Sequence, residues 1–187
     1  MHNQNLETAT FAGGCFWCTE AIFKRLKGVE SVTSGYSGGS KENPSYEEVN
    51  SSSTGHAEAL QIKFDPKVLT YDQLLEVFFK THDPTQLNRQ GNDVGEQYRS
   101  AVFYHSNEQR TAVVAKITSF ERSSTYKSKI VTQIEPFESF YEAEDYHKDY
   151  YDKNRSAGYC RVVIDPKITK LHKEFGDITK EKYKNEG

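Results

Sequence analysis

Two adjacent glycines, Gly13 and Gly14, constrain the fold of this chain more than any other feature of its sequence. Residues 8–11 before them fit a short strand, and residues 16–27 after them carry apolar side chains at helical spacing. Because glycine adopts tight-turn conformations without steric cost, we expect a strand, a tight turn and a helix in direct succession. Cys15 then lies at the start of the helix.

Apolar spacing and capping motifs predict six further elements downstream. They are a strand over 29–36, a strand over 57–64, a helix from Thr70 to about His82, a strand over 99–105, a helix from Ser106 to about Phe120 and a strand over 130–135. The order is βαββαβ with one additional helix and strand, which is typical of a split βαβ unit. We therefore predict an α+β fold, a two-layer sandwich with a mixed β-sheet, a ferredoxin-like split βαβ core and an irregular C-terminal segment.

The sequence shows no internal repeat, low-complexity tract or linker that would divide it. With 187 residues, the chain is predicted to be a single domain over 1–187 with a core over about 5–165. Residues 166–187 are predicted to be a peripheral tail, which is either a docked helix or a frayed end. Three long stretches fit no element, and such loops usually have a function in compact domains. We expect the site in residues 37–56, in residues 83–98 and from residue 154 onward.

The charge and the cysteine content disfavour several classes of protein. Lys and Arg total 24 against 27 for Asp and Glu, so the net charge of −3 gives no basic field for nucleic acid or an anionic membrane. No segment approaches the roughly 18 uninterrupted apolar residues of a membrane span, and the N-terminus lacks the pattern of a signal peptide. Three cysteines are too few for a secreted disulfide scaffold. We expect a soluble, cytoplasmic monomer with reduced thiols that binds neither nucleic acid nor membrane.

Cys15 is the first residue that indicates chemistry. At the start of a helix, free backbone N–H groups and the helix dipole stabilise a thiolate, which favours a nucleophile. The alternative is a small buried hydrophobic residue after a turn. Cys18 follows three residues later, at the spacing of thioredoxin-like disulfide motifs. A metal site is not predicted, since Cys160 has no Cys or His partner at the spacing of zinc ligands.

Glu58 is the second unusual residue. Polar and apolar residues alternate over 57–64, which places Glu58 on the same face as Leu60. Desolvation there favours the protonated carboxyl group, which can donate a proton to a departing oxygen. The alternatives are a solvated position at the strand edge or an ion pair with a lysine. Tyr46 and Tyr98, in two of the irregular stretches, add neutral hydroxyl donors unless they serve only in packing.

A series of short motifs runs through most of the chain. They are Gly14-Cys15-Phe16-Trp17, Gly35-Tyr36, Asn43-Pro44-Xaa-Tyr46-Xaa-Xaa-Val49, Thr54-Gly55-His56-Xaa-Glu58, His82-Asp83-Pro84-Thr85, Gln90-Gly91-Asn92-Asp93-Xaa-Gly95, Gln97-Tyr98-Arg99-Ser100 and Gly158-Tyr159-Cys160. In this order and spacing, they resemble peptide-methionine (S)-S-oxide reductase, the A class of methionine sulfoxide reductases. The resemblance extends from about residue 8 to about residue 165.

The resemblance implies a role for each matching residue. Cys15 would be the attacking thiolate, and Glu58 would protonate the sulfoxide oxygen. Tyr46 and Tyr98 would donate hydrogen bonds to that oxygen, and Asp93 would order the pocket. The implied substrate is methionine sulfoxide, free or in peptides and proteins.

The resemblance also implies a stereochemical preference. Phe16 and Trp17 would cradle the methyl group on sulfur, because aromatic faces accommodate an apolar methyl group. Hydroxyl donors on the opposite wall would receive the oxygen, so the R epimer is expected to be a poor substrate.

The implied cycle leaves a sulfenic acid on Cys15, which a second thiol condenses to a disulfide. Thioredoxin in the family, or dithiothreitol in vitro, would then restore the enzyme, with no bound cofactor. Cys160 matches the family's C-terminal resolving position, and we expect it to resolve first, because a flexible segment meets disulfide geometry more easily than a helical pair. Cys18 is the alternative resolver, or it serves as a relay.

Two other functions remain open on residue patterns alone. A thioredoxin-like disulfide oxidoreductase would use Cys15 and Cys18 and would not need Glu58. A binding module would recognise methionine sulfoxide in an aromatic pocket without reacting. The residues Asp145, His147 and Tyr150 also match the family, but such residues on a helix are usually packed, and they are not included in the predicted site.

Overall fold

The structure is a computed structural model that describes residues 5–184, so both ends of the predicted domain and the last residues of the predicted tail lie outside the described residues. The strands are β1 (Glu7–Gly13), β2 (Val29–Ser37), β3 (Ala57–Phe64), β4 (Arg89–Gln90), β5 (Asp93–Val94), β6 (Ser100–Tyr104), β7 (Gln133–Pro136) and β8 (Phe140–Glu142). The α-helices are α1 (Phe16–Phe23), α2 (Tyr46–Asn50), α3 (Tyr71–Thr81), α4 (Asn107–Arg122), α5 (Tyr150–Lys153) and α6 (Asp165–Phe175). Short 3₁₀ turns span Glu96–Tyr98, Asp145–His147, Gly176–Ile178 and Glu181–Tyr183, and a π-helical turn, Cys160–Ile164, leads into α6.

One mixed sheet carries the fold. Within residues 5–184, six strands form this sheet in the order β7-β6-β1-β3-β2-β8, and β4 pairs with β5 in a separate hairpin. The strands β6 and β7 are parallel, whereas the other neighbours in the sheet are antiparallel. The central order β6-β1-β3-β2, with α1 and α3 as the crossovers, is the split βαβ arrangement. The predicted α+β fold is confirmed.

The helices cover one face of the sheet. The side chains of Leu60 and Ile62 on β3 point into the main core, which α1, α3, α4 and α6 close from above. The neighbouring Ala57 and Ala59 point to the opposite face, into a smaller apolar cluster. Because side chains alternate along a strand, Glu58 points toward the helices, as its sequence pattern predicts. None of the helices formed by residues 5–184 is long and apolar enough to cross a membrane.

The C-terminal segment is helical rather than irregular, and of the two alternatives for the tail, a docked helix or a frayed end, the structure has the docked helix. Apolar residues of the π-helical turn and α6 recur about every four positions and are buried: Ile164, Ile168, Leu171 and Phe175. Beyond α6, the backbone N–H of Lys180 donates to the carbonyl of Arg25 over 2.8 Å. The segment therefore forms part of the core, because its apolar stripe matches a face that α1 and α3 leave open.

The other differences concern element ends and short elements. The helix α1 ends at Phe23 rather than Lys27, and β7 begins at Gln133 rather than Ile130. The first irregular stretch contains α2, which begins with a capping box formed by Ser45 and Glu48. The second irregular stretch, residues 83–98, contains the β4-β5 hairpin. This hairpin gives the stretch a defined structure although it contains no long helix or strand.

Candidate active site

Cys15 lies at the start of α1, directly after the glycine turn, and only 7% of its surface is exposed. Both glycines are needed there. A Cβ on Gly13 would lie 2.9 Å from Phe78, and Gly14 has a φ of +89° with Gln90 2.7 Å from the position of a Cβ. The backbone can therefore turn close to its neighbours, and it presents the Cys15 thiol at the helix N-terminus.

Cys15 and Cys18 form a buried pair of thiols. The backbone N–H of Cys18 donates to the Cys15 carbonyl over 3.1 Å, which closes the first turn of α1. Burial raises the pKa of the Cys15 thiol, and its hydrogen bond with Cys18 raises that pKa further. The same hydrogen bond lowers the pKa of Cys18 to about 7. The pair therefore loses its first proton near neutral pH. The two sulfurs then share the remaining proton.

Glu58 lies beside this thiol pair and is hydrogen-bonded to the backbone of α1. Its Oε2 accepts a hydrogen bond from the backbone N–H of Phe16 over 2.9 Å, and 1% of Glu58 is exposed. Burial raises the pKa of the Glu58 carboxyl to about 8, against the opposite effect of the Phe16 N–H. The side chain is thus mostly a neutral acid at neutral pH, a state in which a carboxyl group can donate a proton.

Tyr46 and Tyr98 come from two different loops to the same site. Tyr46 is the first residue of α2, and Tyr98 ends the 3₁₀ turn that precedes β6. Burial raises the pKa of both phenols, and the nearby charges of Glu58 and Cys15 raise it further. Both hydroxyls therefore stay protonated and can donate hydrogen bonds to an oxygen atom placed between them and Glu58.

Asp93 is fixed by a residue that is missing from the predicted site. The Tyr159 hydroxyl donates to Asp93 Oδ2 over 2.7 Å, and its oxygen lies 3.8 Å from the Cys18 sulfur. Tyr159 occurs in the sequence only as the neighbour of Cys160. Its place in the Gly158-Tyr159-Cys160 motif is the one signal that points to it.

An aromatic cluster lies beside the thiol pair. Trp17 stacks on Tyr150 with ring centroids 3.6 Å apart, and Phe16 and Tyr46 lie 4.9 and 4.5 Å from the ring of His147. The indole N–H of Trp17 donates to His147 Nδ1 over 3.0 Å. The predicted substrate-binding residues Phe16 and Trp17 thus belong to one cluster with His147 and Tyr150, which the sequence patterns leave outside the predicted site.

Cys160 does not lie on a flexible segment. It is fully buried at the start of the π-helical turn, and burial raises the pKa of its thiol. Its charge interactions include Cys18, so it belongs to the same neighbourhood as the pair. All three cysteines are free thiols. Within residues 5–184, no group of three or more His, Cys, Asp and Glu side chains is arranged to hold a metal ion.

A helix-terminal thiol pair beside a buried, neutral acid is characteristic of a thiol-dependent enzyme. The sequence model of the peptide methionine sulfoxide reductase family matches residues 7–179, and the chain belongs to this family. Its activity is the thiol-dependent reduction of methionine sulfoxide. Family membership therefore decides against the disulfide oxidoreductase and the binding module as its main function.

Relatives match nearly the whole chain. The peptide methionine sulfoxide reductase MsrA of Sulfolobus acidocaldarius is 59% identical over 172 residues, which cover 92% of this chain and 97% of that protein. Mxr1 of Saccharomyces cerevisiae in reduced form is 36% identical with a TM-score of 0.78, over 83% of this chain and 89% of that one. A structure of Mxr1 in complex with Trx2 matches at 27% identity and a TM-score of 0.55, over 78% and 84%.

Proposed function

We propose that residues 1–187 form one catalytic domain that reduces the S epimer of methionine sulfoxide, free or in peptides and proteins, with Cys15 as the nucleophile. The observation that carries the proposal is the 2.9 Å hydrogen bond from the N–H of Phe16 to Glu58 Oε2. Because Phe16 directly follows Cys15, this bond holds a proton donor beside the thiol. When the sulfur of a bound sulfoxide contacts the Cys15 sulfur, the sulfoxide oxygen lies close to the Glu58 carboxyl group.

The first step needs a thiolate on Cys15 and a proton on Glu58. Cys18 ionises first and releases its proton to solvent, and the Cys15 proton then passes along the shared hydrogen bond to the Cys18 thiolate, which leaves Cys15 as the thiolate and Cys18 as the thiol. The Cys15 sulfur attacks the sulfoxide sulfur while the oxygen accepts the Glu58 proton. The hydroxyl group is then transferred to the Cys15 sulfur, and the substrate sulfur loses both its bond to this oxygen and its new bond to Cys15, which gives methionine and a Cys15 sulfenic acid. Two electrons thus pass from the Cys15 sulfur to the substrate sulfur.

The site has an apolar wall and a hydrogen-bonding wall, and this difference supports the preference for the S epimer. The rings of Phe16 and Trp17 offer an apolar surface to the methyl group, whereas Tyr46 and Tyr98 offer hydroxyl donors to the oxygen. In the R epimer, the methyl group and the oxygen exchange places. The oxygen would then face the aromatic rings without a donor, which is costly for a strongly polar group.

Two further thiols regenerate the enzyme. Cys18 attacks the sulfenic acid, its own proton joins the departing hydroxide as water, and a Cys15–Cys18 disulfide forms. Cys160 then attacks the Cys18 sulfur, which frees Cys15 and leaves a disulfide between Cys18 and Cys160. We put Cys18 first because its thiol is hydrogen-bonded to Cys15, whereas Cys160 is buried in a helical turn and interacts with Cys18.

A dithiol restores the last disulfide to two thiols and becomes a disulfide itself. Thioredoxin is the proposed physiological reductant, and the yeast relative that was solved in complex with Trx2 supports this assignment. A reducing compartment keeps such a dithiol available, and the proposed setting is therefore the cytoplasm. We propose that the chain acts there as a monomer.

A chirally resolved assay tests the proposal. N-blocked methionine sulfoxide with both epimers present is incubated with the enzyme and dithiothreitol, and each epimer is quantified over time. We expect loss of the S epimer alone, and no loss with Cys15→Ser. Consumption of the R epimer at a similar rate would contradict the epimer assignment. If neither epimer is consumed, disulfide exchange at Cys15 and Cys18 becomes the leading account.

A further inference from the structure

The Glu144 carboxylate contacts residues of three structural elements that surround the site. Its carboxylate accepts a hydrogen bond from the Tyr36 hydroxyl over 3.2 Å and another from the backbone N–H of Tyr46 over 3.0 Å. Its Oε2 also lies 3.3 Å from Nε2 of His147. Tyr36 belongs to the sheet, Tyr46 begins α2, and His147 ends the 3₁₀ turn that directly follows Glu144. One carboxylate therefore connects the wall that carries Tyr46 with the imidazole of the aromatic cluster.

The hydrogen bond from Trp17 to His147 is compatible with only one tautomer of the imidazole. The indole N–H donates to Nδ1 over 3.0 Å, so Nδ1 must be unprotonated and the proton must lie on Nε2. Burial lowers the pKa of His147, which keeps the ring neutral near pH 7 despite the nearby Glu144. The Nε2 proton then points toward Glu144. The chain of contacts runs from the indole through the imidazole to the carboxylate.

The imidazole packs against the rings of Phe16, Tyr46 and Tyr146, but it also lines a small cavity. A cavity of about 20 Å³ lies next to the ring, lined among others by Ser34, Glu142 and Glu144. Nε2 of the neutral ring lies 3.3 Å from Glu144 Oε2 but is not aligned for a hydrogen bond, so the contact is an attraction between the carboxylate charge and the N–H dipole. A ring beside a cavity can flip or tilt when its polar partner is removed. The carboxylate is thus the group that favours one tautomer and one orientation.

We propose that Glu144 is a positioning residue that sets the His147 tautomer and thereby the orientation of the Trp17 indole, while it also anchors Tyr46. This inference rests on the proposed function, in which Trp17 receives the methyl group and Tyr46 binds the oxygen. Glu144 touches neither the substrate nor a reacting atom. It acts by holding the two walls of the site at a fixed separation, which the discrimination between two epimers requires.

The substitution Glu144→Gln tests the proposal because it keeps the size of the side chain. Its single amide oxygen can still accept from Tyr46, but the amide N–H₂ group cannot accept the Nε2 proton of His147. The chain contains one tryptophan, so a ¹H–¹⁵N spectrum shows one indole cross-peak, which reports on Trp17 directly. We expect this cross-peak to shift upfield and its proton to exchange faster with water, because the hydrogen bond to Nδ1 weakens.

Steady-state kinetics give the second measurement. We expect Glu144→Gln to raise KM for the S epimer about fivefold to twentyfold with a smaller change in kcat, as a loss of binding geometry does. Glu142→Gln is the matched control, since it changes an exposed glutamate two residues away. The control should leave both the cross-peak and KM unchanged. Tyr36→Phe removes one donor to Glu144 from the folded core and should move both quantities less, in the same direction.

The two measurements separate the two proposals. An indole cross-peak that is identical in wild type, Glu144→Gln and Tyr36→Phe would overturn the positioning role, whatever the activity. A shifted cross-peak with an unchanged KM would also overturn it, because the indole orientation would then not matter for the substrate. Failure of the wild-type enzyme to reduce the S epimer would instead refute the proposed function, and the spectra would remain interpretable.

Discussion

The hydroxyl of Tyr159 donates to Asp93 Oδ2 over 2.7 Å, across 66 positions of the chain. Asp93 lies in the β4-β5 hairpin, and Tyr159 directly precedes the π-helical turn that begins with Cys160. The oxygen of the same hydroxyl lies 3.8 Å from the sulfur of Cys18. A single phenol therefore links the hairpin, the thiol pair and the C-terminal segment.

Removing this hydroxyl should change the thiols as well as the pocket. In Tyr159→Phe we expect the pKa of the thiol pair to rise. The single hydroxyl proton points to Asp93 in this structure but can turn to a thiolate once the pair ionises, and a hydrogen bond from Tyr159 lowers the pKa of both Cys15 and Cys18. We also expect kcat/KM to fall about 10- to 150-fold, since a hydrogen bond to a charged group is worth about 1.5–3 kcal/mol. The pH dependence of iodoacetamide alkylation measures the first effect.

Tyr151→Phe is the matched control for that variant. Its hydroxyl also donates to an aspartate over 2.7 Å, but the aspartate is Asp165 of α6. The control should therefore keep the alkylation profile of the wild type. If the alkylation profile of Tyr159→Phe matches those of the wild type and of Tyr151→Phe, the Tyr159 hydroxyl does not act on the thiols.

The buried acid should give the reaction a characteristic pH dependence. Glu58 must carry a proton to act, and its pKa is raised to about 8, so single-turnover reduction should slow as the pH rises through about 8. Glu58→Gln keeps an oxygen for the Phe16 N–H but has no acidic proton. We expect its rate to fall about 10²- to 10⁴-fold, which is the usual contribution of general acid catalysis, and its further decline above pH 8 to disappear.

Glu20→Gln provides the comparison for this measurement. Glu20 is also buried, and burial raises its pKa, but its Oε1 accepts from the backbone N–H of Asp149. Its replacement should leave the upper limb of the pH profile in place. If Glu58→Gln retains that limb, another group must be the proton donor.

The fold can be predicted from the sequence to the extent that local patterns decide it. Alternation over β3 and the capping box at Thr70 are sufficient to predict the type and the place of two elements. The short elements α2, α5 and β8 escape prediction because helices and strands of this length depend on tertiary contacts more than on propensity. The docking of the C-terminal helix escapes it for the same reason, since its apolar stripe has meaning only against the face that it covers.

The residues of the site also fall into two groups, those that local sequence patterns predict and those that they do not. Cys15 and Glu58 can be found because each breaks a local rule, a thiol at a glycine turn and an acid on an apolar face. The links made by Tyr159 and His147 cannot, because the bond from Trp17 to His147 spans 130 positions and the sequence alone does not bring them together. Their residue types in isolation indicate packing.

The C-terminal helix should contribute strongly to stability. Leu171 is fully buried on α6, so Leu171→Ala should lower the free energy of unfolding by about 2–5 kcal/mol, the range for a large-to-small change in a core. Lys173→Ala on the exposed face of the same helix should change it by less than about 0.5 kcal/mol. Urea unfolding of both variants makes the comparison. Equal, small effects would mean that the segment is a peripheral tail after all.

The order in which the cysteines react can be read from the species that accumulate after one turnover. If Cys18 resolves first, Cys160→Ser should release one methionine per enzyme and stop at a Cys15–Cys18 disulfide, with thioredoxin-driven turnover strongly reduced. Cys18→Ser should also release one methionine, but its Cys15 sulfenic acid should persist and react with dimedone, because buried Cys160 reaches Cys15 slowly. Mass spectrometry of the quenched reactions identifies each species. A rapid Cys15–Cys160 disulfide in Cys18→Ser would reverse the order and make Cys160 the first resolving thiol.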